Sequence, residues 1–309
     1  MQPSPFHVNL PWVDSPFFEQ ELEKSTLDEA TRQQVRHYAE QGYLIIDTEL
    51  PESTFDRIVE LLQPHFESPR LQDAWTITPL VREVAACPKV LDMLRILYRR
   101  EPFPFQTLNF HVGSQQKTHS DAIHFYSVPE RFMCGVWVAL EDIDENNGPL
   151  HYYPGSHKLP FYDMAAIGIK GSDHVLEYNQ YLIYENFVQA LMEATGQQKQ
   201  VFKVKKGQAL IWSANLFHGG EPILQPGRSR HSQVTHYFFN DCLYYTPLWS
   251  DLPIEKMYMR RPVNILTGKR MGNTYLNESI MDRTGFSQLT AYKKKLEEAV
   301  WVLKKNLRK

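Results

Sequence analysis

The residues whose types and spacing most directly suggest chemistry are His119 and Asp121, in Thr118-His119-Ser120-Asp121. On an extended segment, side chains two apart point to the same side. With a second histidine from elsewhere they could hold a divalent ion on one face and leave its other positions open. That is the two-histidine, one-carboxylate arrangement of non-haem Fe(II) oxygenases. The triplet alone carries little: with 12 histidines in the chain such a pair arises easily by chance, and a pair on a surface turn is the ordinary reading. Its context strengthens it, because Gly113-Ser114-Gln115-Gln116 reads as a loop from which a strand would resume at the mouth of a barrel.

A second histidine must come from a distant strand. His218 is the best candidate, since it follows the apolar run Gln208–Ser213 and precedes Gly219-Gly220, where backbone or a ligand can approach closely. His111, His124, His151, His157, His231 and His236 are competitors, with core or surface roles as the default for most. Two cations follow: Arg228 in the Pro226-Gly227 turn, and Arg230 at the opening of a strand that ends at Phe239. Strand alternation puts Arg230 on one face with Ser232, Val234 and His236. An arginine inside a barrel can clamp a carboxylate with two parallel hydrogen bonds, and Ser232 could add a third; a surface ion pair is the alternative use.

These residues need elements to position them. The first hundred residues read as mainly helical. Thr26-Leu27-Asp28-Glu29 resembles a capping box, Gly42 can end the helix that follows, and Tyr43–Ile46 is a short strand. Further helices fit Glu52–Leu62 and a segment from Pro88 to Tyr98. From Phe105 the texture changes to short segments rich in β-branched and aromatic residues and bounded by Gly, Pro or Asn: Phe105–Val112, Met133–Leu140, Leu150–Tyr153, Val201–Val204, Gln208–Ser213 and Ser232–Phe239. Antiparallel strands in a double-sheet jelly roll are the natural architecture. The expected fold is therefore mainly β with flanking helices, a double-stranded β-helix of the cupin-like type. The whole of 1–309 is expected as one domain, with a helical N-terminal region over residues 1–100, a jelly-roll core at about 105–240 and an extension 241–309. That extension turns irregular at Pro247, Pro253 and Pro262 and ends in an amphipathic helix at Ser287–Leu303. An insertion at 161–200, helical near Asn186–Ala194, reads either as a substrate loop or as a surface helix.

Bulk properties narrow the function. Hydrophobic residues at 42% and charged residues at 22% describe an ordinary globular chain, and a formal net charge of -3 gives no reason to expect nucleic acid or an anionic membrane as partner. Three scattered cysteines with no Cys-x-x-Cys pair disfavour a zinc ribbon or a disulfide framework. With no signal-like N-terminus and no window near the roughly 20 apolar residues of a membrane span, the expectation is a cytoplasmic protein.

Several motifs then occur together and in order: His119-x-Asp121, Trp137-Val138-Ala139-Leu140-Glu141-Asp142, Asn147-Gly148-Pro149-Leu150, Pro154-Gly155-Ser156-His157, Lys206-Gly207-Gln208-Ala209 and His218-Gly219-Gly220. Across about residues 105 to 240 this set resembles the phytanoyl-CoA dioxygenase family of Fe(II)- and 2-oxoglutarate-dependent oxygenases. The resemblance implies an enzyme using Fe(II), 2-oxoglutarate and O2, with His119, Asp121 and His218 as metal ligands. It implies Arg230, seven residues before Tyr237, as the arginine for 2-oxoglutarate, with Ser232 as its hydroxyl partner and Trp137 as a neighbour. Gln106 and Asn109, on the strand leading to the metal pair, become co-substrate candidates. Pro154-Gly155-Ser156-His157 reads as a structural turn that marks the family, with His157 outside the ligand set. An aspartate at 121, where related halogenases have a small residue, favours oxygen insertion or a related oxidation.

The expected activity is hydroxylation of an unactivated carbon of a small organic substrate, with release of succinate and CO2. Desaturation, epoxidation or cyclisation would use the same residues. A non-catalytic jelly-roll binding or sensor protein, and a cupin-like enzyme that needs no 2-oxoglutarate, are the competing readings. Phe125, Tyr126 and Phe217 are candidates for the substrate pocket. No strong basic patch suited to the phosphates of coenzyme A is visible, which points to a small or natural-product-like molecule. A homodimer through the C-terminal helix is a minority expectation.

Overall fold

The computed structural model describes residues 8–175 and 179–280; the expected C-terminal helix at Ser287–Leu303 lies outside them. Helices α1 (Phe18–Glu23), α2 (Glu29–Gln41), α3 (Glu52–Leu62), α4 (Pro79–Ala85) and α5 (Pro88–Tyr98) occupy the first hundred residues, with strands β1 (Tyr43–Asp47) and β2 (Arg70–Gln72) among them. The remainder holds β3 (Pro102–Phe110), β4 (Tyr126–Val128), β5 (Met133–Ala139), β6 (Leu150–Tyr152), α6 (Asn179–Thr195), β7 (Gln200–Phe202), β8 (Gln208–Ser213), β9 (His218–Gly220), β10 (Ser232–Phe239), β11 (Leu243–Tyr245) and the hairpin β12 (Thr274–Tyr275) with β13 (Glu278–Ser279). No α-helix falls within 241–280; short strands and tight turns carry that stretch.

Two antiparallel sheets make the body. The large one runs β1-β8-β5-β10-β3-β2, and a small one, β7-β6-β9, faces it. The large sheet is covered on both sides. Its outer face, with Val136, Val138, Ala209, Ile211 and Tyr237, packs on the helices of the first hundred residues. Its inner face, with Trp137, Leu210, Trp212 and Val234, meets Leu150, Tyr152 and Phe202 of the small sheet. This is why β5 and β10 are buried at every position rather than alternating: both faces exclude water, so the sequence reads as a continuous apolar run.

The helical layer is anchored at identifiable residues. The N-cap of α2 is Asp28, whose side chain accepts from the Thr31 amide, and the capping box expected of Thr26 and Glu29 does not form. Aspartate one residue before the helix satisfies the free amide directly, so the chain uses it in place of the threonine two positions upstream. At the other end Gly42 takes φ +79, the left-handed turn that ends a helix and that glycine adopts without strain. The turn Pro154-Gly155-Ser156-His157 docks there. Gly155 donates its amide to the Gln41 carbonyl, and His157 packs so closely that a β-carbon on Gly42 would lie 2.4 Å from its Nδ1. His157 Nε2–H donates to the Ala39 carbonyl at 3.2 Å. The motif is thus a clasp between the jelly roll and α2, far from a ligand role.

Burial pushes the imidazole of His157 down to about 4 in spite of that hydrogen bond, and pushes down His151 likewise, to about 4. Their unfolded values lie near 6.5. The unfolded chain therefore takes up these protons first, and stability is lost as pH falls from about 6.5 towards 4. Urea unfolding of the metal-free protein is expected to show a midpoint that drops steadily across this window. A midpoint independent of pH there would contradict it.

Candidate metal centre

The body positions its polar residues by pairing two of them directly. His119 and His218 form an isolated antiparallel bridge, each backbone amide donating to the other's carbonyl at 2.9 Å. Asp121 follows two residues later at the start of a tight turn (Asp121–Ile123) that leads away from the strand. The result is a buried cluster in which one nitrogen from each histidine and one carboxylate oxygen lie within 4.8 Å of one another.

Hydrogen bonds orient each member. His119 Nδ1 lies 2.8 Å from the Lys117 carbonyl, and His218 Nδ1 lies 3.0 Å from the Leu216 carbonyl. A carbonyl only accepts, so each Nδ1 carries the proton and each neutral Nε2 presents a lone pair. Both Nε2 atoms stand 3.9 Å from Asp121 Oδ1. The other carboxylate oxygen is engaged: Trp212 Nε1–H donates to Oδ2 at 2.8 Å, and His236 Nε2 lies 3.4 Å from it. Trp212 can lean this far because Gly135 is its cross-strand partner; a β-carbon there would fall 2.4 Å from the indole ring.

Burial works to raise the Asp121 carboxyl, but His236, His218 and His119 around it outweigh burial and hold it well below the usual carboxylate range. Burial, and then the neighbouring His218, push His119 down to about 4. At neutral pH the cluster is therefore two neutral imidazoles and one carboxylate, the protonation states in which these groups bind a metal.

A cavity of about 800 Å³ opens above the cluster, lined by His119, Asp121 and His218 together with Trp137, Arg230 and Gln106. Arg230 is 1% exposed. Its Nη1 donates to Ser232 Oγ at 3.0 Å, its Nη2 reaches the Val112 carbonyl at 3.5 Å, and its Nε has no partner. The guanidinium stands 5.3 Å from the Phe110 ring and 5.6 Å from the Trp137 ring. Burial lowers its pKa to about 10, so it remains charged near neutrality. A buried cation without a carboxylate partner is costly unless a ligand supplies one. Trp137 Nε1, also buried and without a partner, is a second donor available to the same ligand.

The other expected residues divide by strand phase. Gln106 faces the cavity with Leu108 and Phe110, its amide oxygen 3.0 Å from His236 Nδ1. Asn109 is corrected: it points through the opposite face, where its Nδ2–H donates to Gln233 Oε1, and Gln233 in turn donates to the Val81 carbonyl of α4. Phe125 lines the cavity. Tyr126 does not; it turns outward to stack on Phe161 and donate to Glu130. Phe217 does not either; it packs with Ile123, Tyr153 and Met164 behind the histidines. His236 lines the cavity on the Arg230 face, as strand alternation predicts, and so do side chains absent from the expectation: Trp212, Tyr181 of α6, and arginines 70, 260, 261 and 270. These arginines are dispersed along the chain and come together only in the fold.

The outer partner of Asp121 provides a test. Without the indole N–H, a Trp212→Phe protein loses the bond that fixes which carboxylate oxygen faces the histidines. Fe(II) affinity is expected to fall about ten- to a hundredfold, read by competition with a metal-sensitive dye, with the fold retained. Unchanged affinity would show that the bond does not orient Asp121.

A double-stranded β-helix holding two histidines and a carboxylate beside a buried arginine is the architecture of the jelly-roll oxygenase class. Comparison with known proteins agrees. A family model described as phytanoyl-CoA dioxygenase (PhyH) matches residues 64–232, and the chain belongs to that family. Phytanoyl-CoA dioxygenase domain-containing protein 1 of Mus musculus is 30% identical over 111 residues, 35% of this chain and 34% of that protein. The Danio rerio protein of the same name is 36% identical over 83 residues, 26% of this chain and 28% of that protein. The chain thus spans about a third of the length of the curated relatives it matches. Among solved structures, the non-heme alpha ketoglutarate dependent carbocyclase SnoK from nogalamycin biosynthesis superposes with a TM-score of 0.55 at 18% identity, over 71% of this chain and 87% of that one. EctD from S. alaskensis with 2-oxoglutarate and 5-hydroxyectoine gives 0.52 at 16% identity, over 77% and 86%. At such identities the likeness bears on the fold. No helix among the described residues is long and apolar enough to cross a membrane.

Proposed function

We propose that this protein is an Fe(II)- and 2-oxoglutarate-dependent dioxygenase that hydroxylates an unactivated carbon of a small organic substrate. One observation carries the reading: the converging nitrogens and oxygen of His119, Asp121 and His218 share a cavity with the buried Arg230, whose guanidinium bonds only to Ser232 Oγ and the Val112 carbonyl among the described residues. The donor set suits Fe(II), because two neutral imidazoles and one carboxylate leave positions open for further ligands. When bound, the iron supplies the oxidising chemistry, at the expense of 2-oxoglutarate and O2, with succinate and CO2 as co-products.

The chain's own residues bind, orient and insulate. His119 and His218 offer Nε2 because backbone carbonyls hold the Nδ1 protons. Asp121 offers Oδ1 because Trp212 and His236 engage Oδ2. Arg230, braced by the Ser232 hydroxyl, would hold the distal carboxylate of 2-oxoglutarate, with the buried Trp137 Nε1–H as a further donor available to it. Phe125, Tyr181 and Trp249 wall the remaining space, which is where a substrate would lie. Desaturation, epoxidation and cyclisation remain outcomes of the same site, decided by what that space holds.

The test is succinate formation from 2-oxoglutarate by the iron-loaded protein, with ascorbate, against a panel of small organic substrates. Iron-dependent succinate release that rises with a panel member is the expected result. A protein that binds neither iron nor 2-oxoglutarate would overturn the reading.

A further inference from the structure

Resting on that reading, we propose that His151 is a positioning residue for the iron. Backed by Glu221 and reaching Thr118, it locks together the two chain segments that carry the histidine ligands. His119 and His218 are far apart in sequence and meet in a single isolated bridge. One residue pair holds two segments only loosely, whereas a working site needs its groups held to within about 0.5 Å.

The brace lies on the far side of that bridge. Antiparallel register places Thr118 opposite Gly219, one step from the ligand pair, and β6 sets His151 beside Gly219 in turn. Side chains alternate along each strand, so Thr118 and His151 face away from the ligands. Gly219, the middle member, leaves the room they need: a β-carbon there would fall 2.7 Å from His151 Cε1 and 2.8 Å from its Nε2. The imidazole therefore lies across the bare backbone of β9, and its Nε2 stands 2.9 Å from Thr118 Oγ1. One ring spans three strands. Its own nitrogens lie outside the metal cluster, so any effect on iron passes through the backbone.

The other ring nitrogen is anchored. His151 Nδ1 lies 2.7 Å from Glu221 Oε1, off the N–H axis, and the same oxygen accepts from Lys199 Nζ at 2.7 Å. The Glu221 amide donates to the Pro149 carbonyl, which fixes where that carboxylate stands. A carboxylate only accepts, so the neutral ring carries its proton on Nδ1 and Nε2 accepts from the threonine hydroxyl. His151 is 6% exposed and Thr118 3%, so the bond is shielded from water. Ser120, on the same face as Thr118, is tied separately to Tyr184 of α6, with 3.1 Å between the hydroxyls. Loss of the His151 bond thus frees the ligand segment at one end and leaves it attached at the other. That predicts a looser metal site in a folded protein.

The experiment titrates anoxic protein with Fe(II) by dye competition and, in parallel, with Co(II), whose visible absorption reports coordination geometry. Binding of 2-oxoglutarate to the iron-loaded protein and the melting temperature are recorded for each variant. Thr118→Val, nearly isosteric and lacking the hydroxyl, and His151→Leu should each weaken Fe(II) binding about tenfold and alter the Co(II) spectrum. Thr118→Ser restores the hydroxyl, and His151→Gln offers an amide oxygen in place of Nε2, so both should bind Fe(II) nearly as wild type does. Thr118→Val carries the test if His151→Leu does not fold. A lower melting temperature in the valine protein, with Fe(II) affinity and Co(II) spectrum unchanged, would show a brace for the fold alone and overturn the proposal. Valine and serine proteins that bind iron alike would overturn it too. If wild type binds iron and 2-oxoglutarate and the variants bind iron equally well, this inference fails alone. If wild type binds neither, the underlying reading fails and takes this inference with it.

Discussion

Replacing His218 by alanine is expected to abolish iron-dependent succinate formation, and His119→Ala should do the same. Each imidazole contributes one of three donors, and each is held in orientation by a backbone carbonyl behind it. His236 is near, but its Nε2 faces Asp121 Oδ2 and its Nδ1 lies against Gln106, so it cannot take over either Nε2 position without leaving both. The loss should therefore exceed the ten- to hundredfold expected from Trp212→Phe, which removes only an outer partner. The measurement is turnover at saturating iron, with bound metal quantified in parallel. Because both histidines are buried in a polar pocket beside the cavity, the alanine proteins should still fold, and their circular dichroism should match that of wild type. A variant with full activity would sink the metal assignment.

Arg230→Gln is expected to raise the KM for 2-oxoglutarate by about two orders of magnitude, with a smaller effect on kcat. Removing one partner of a buried, hydrogen-bonded charge pair costs a few kcal/mol, and each 1.4 kcal/mol is tenfold. Arg230→Lys should recover only some of the loss, since an ammonium cannot present two parallel donors or keep the bond to Ser232 in the same plane. The same substitution carries a second signature. Without a ligand, Arg230 is a buried charge with a partnerless Nε, so the Gln protein should be at least as stable as wild type when 2-oxoglutarate is absent. Added 2-oxoglutarate should then raise the melting temperature of iron-loaded wild type and not of the variant. Equal stabilisation of both would place the co-substrate elsewhere.

How much of this is legible in the sequence depends on strand phase. Arg230 groups correctly with Val234 and His236 because alternation along one strand needs no knowledge of the partner strands. The same rule, applied to β3, separates Gln106 from Asn109, which are three apart and so point to opposite faces; both together as co-substrate contacts cannot hold. Tyr126 and Phe217 lie where turn and coil meet a strand, so no period locates them; they pack into neighbouring apolar clusters instead. Trp212 is visible as a strand residue, but which face of β8 looks inward depends on the helices stacked over Ala209 and Ile211. The arginines of the mouth leave no local signal at all. Arg70 and Arg270 are two hundred residues apart, and 258–270 is irregular chain with no periodicity to read. Two packed sheets under a helical layer are legible, because apolar segments of strand length, punctuated by Gly, Pro and Asn, have few other ways to exclude water. The N-cap reads two residues early, at Thr26 in place of Asp28, since adjacent polar residues compete for that position.

The central claim is that one iron and one 2-oxoglutarate share this cavity through His119, Asp121, His218 and Arg230. Crystals grown without oxygen in Fe(II) and 2-oxoglutarate, with anomalous scattering recorded at the iron edge, test it most directly. The account predicts a single strong anomalous peak between Nε2 of His119, Nε2 of His218 and Oδ1 of Asp121, with 2-oxoglutarate density running from it to the Arg230 guanidinium. An iron peak away from those three atoms, or co-substrate density that does not reach Arg230, would contradict it.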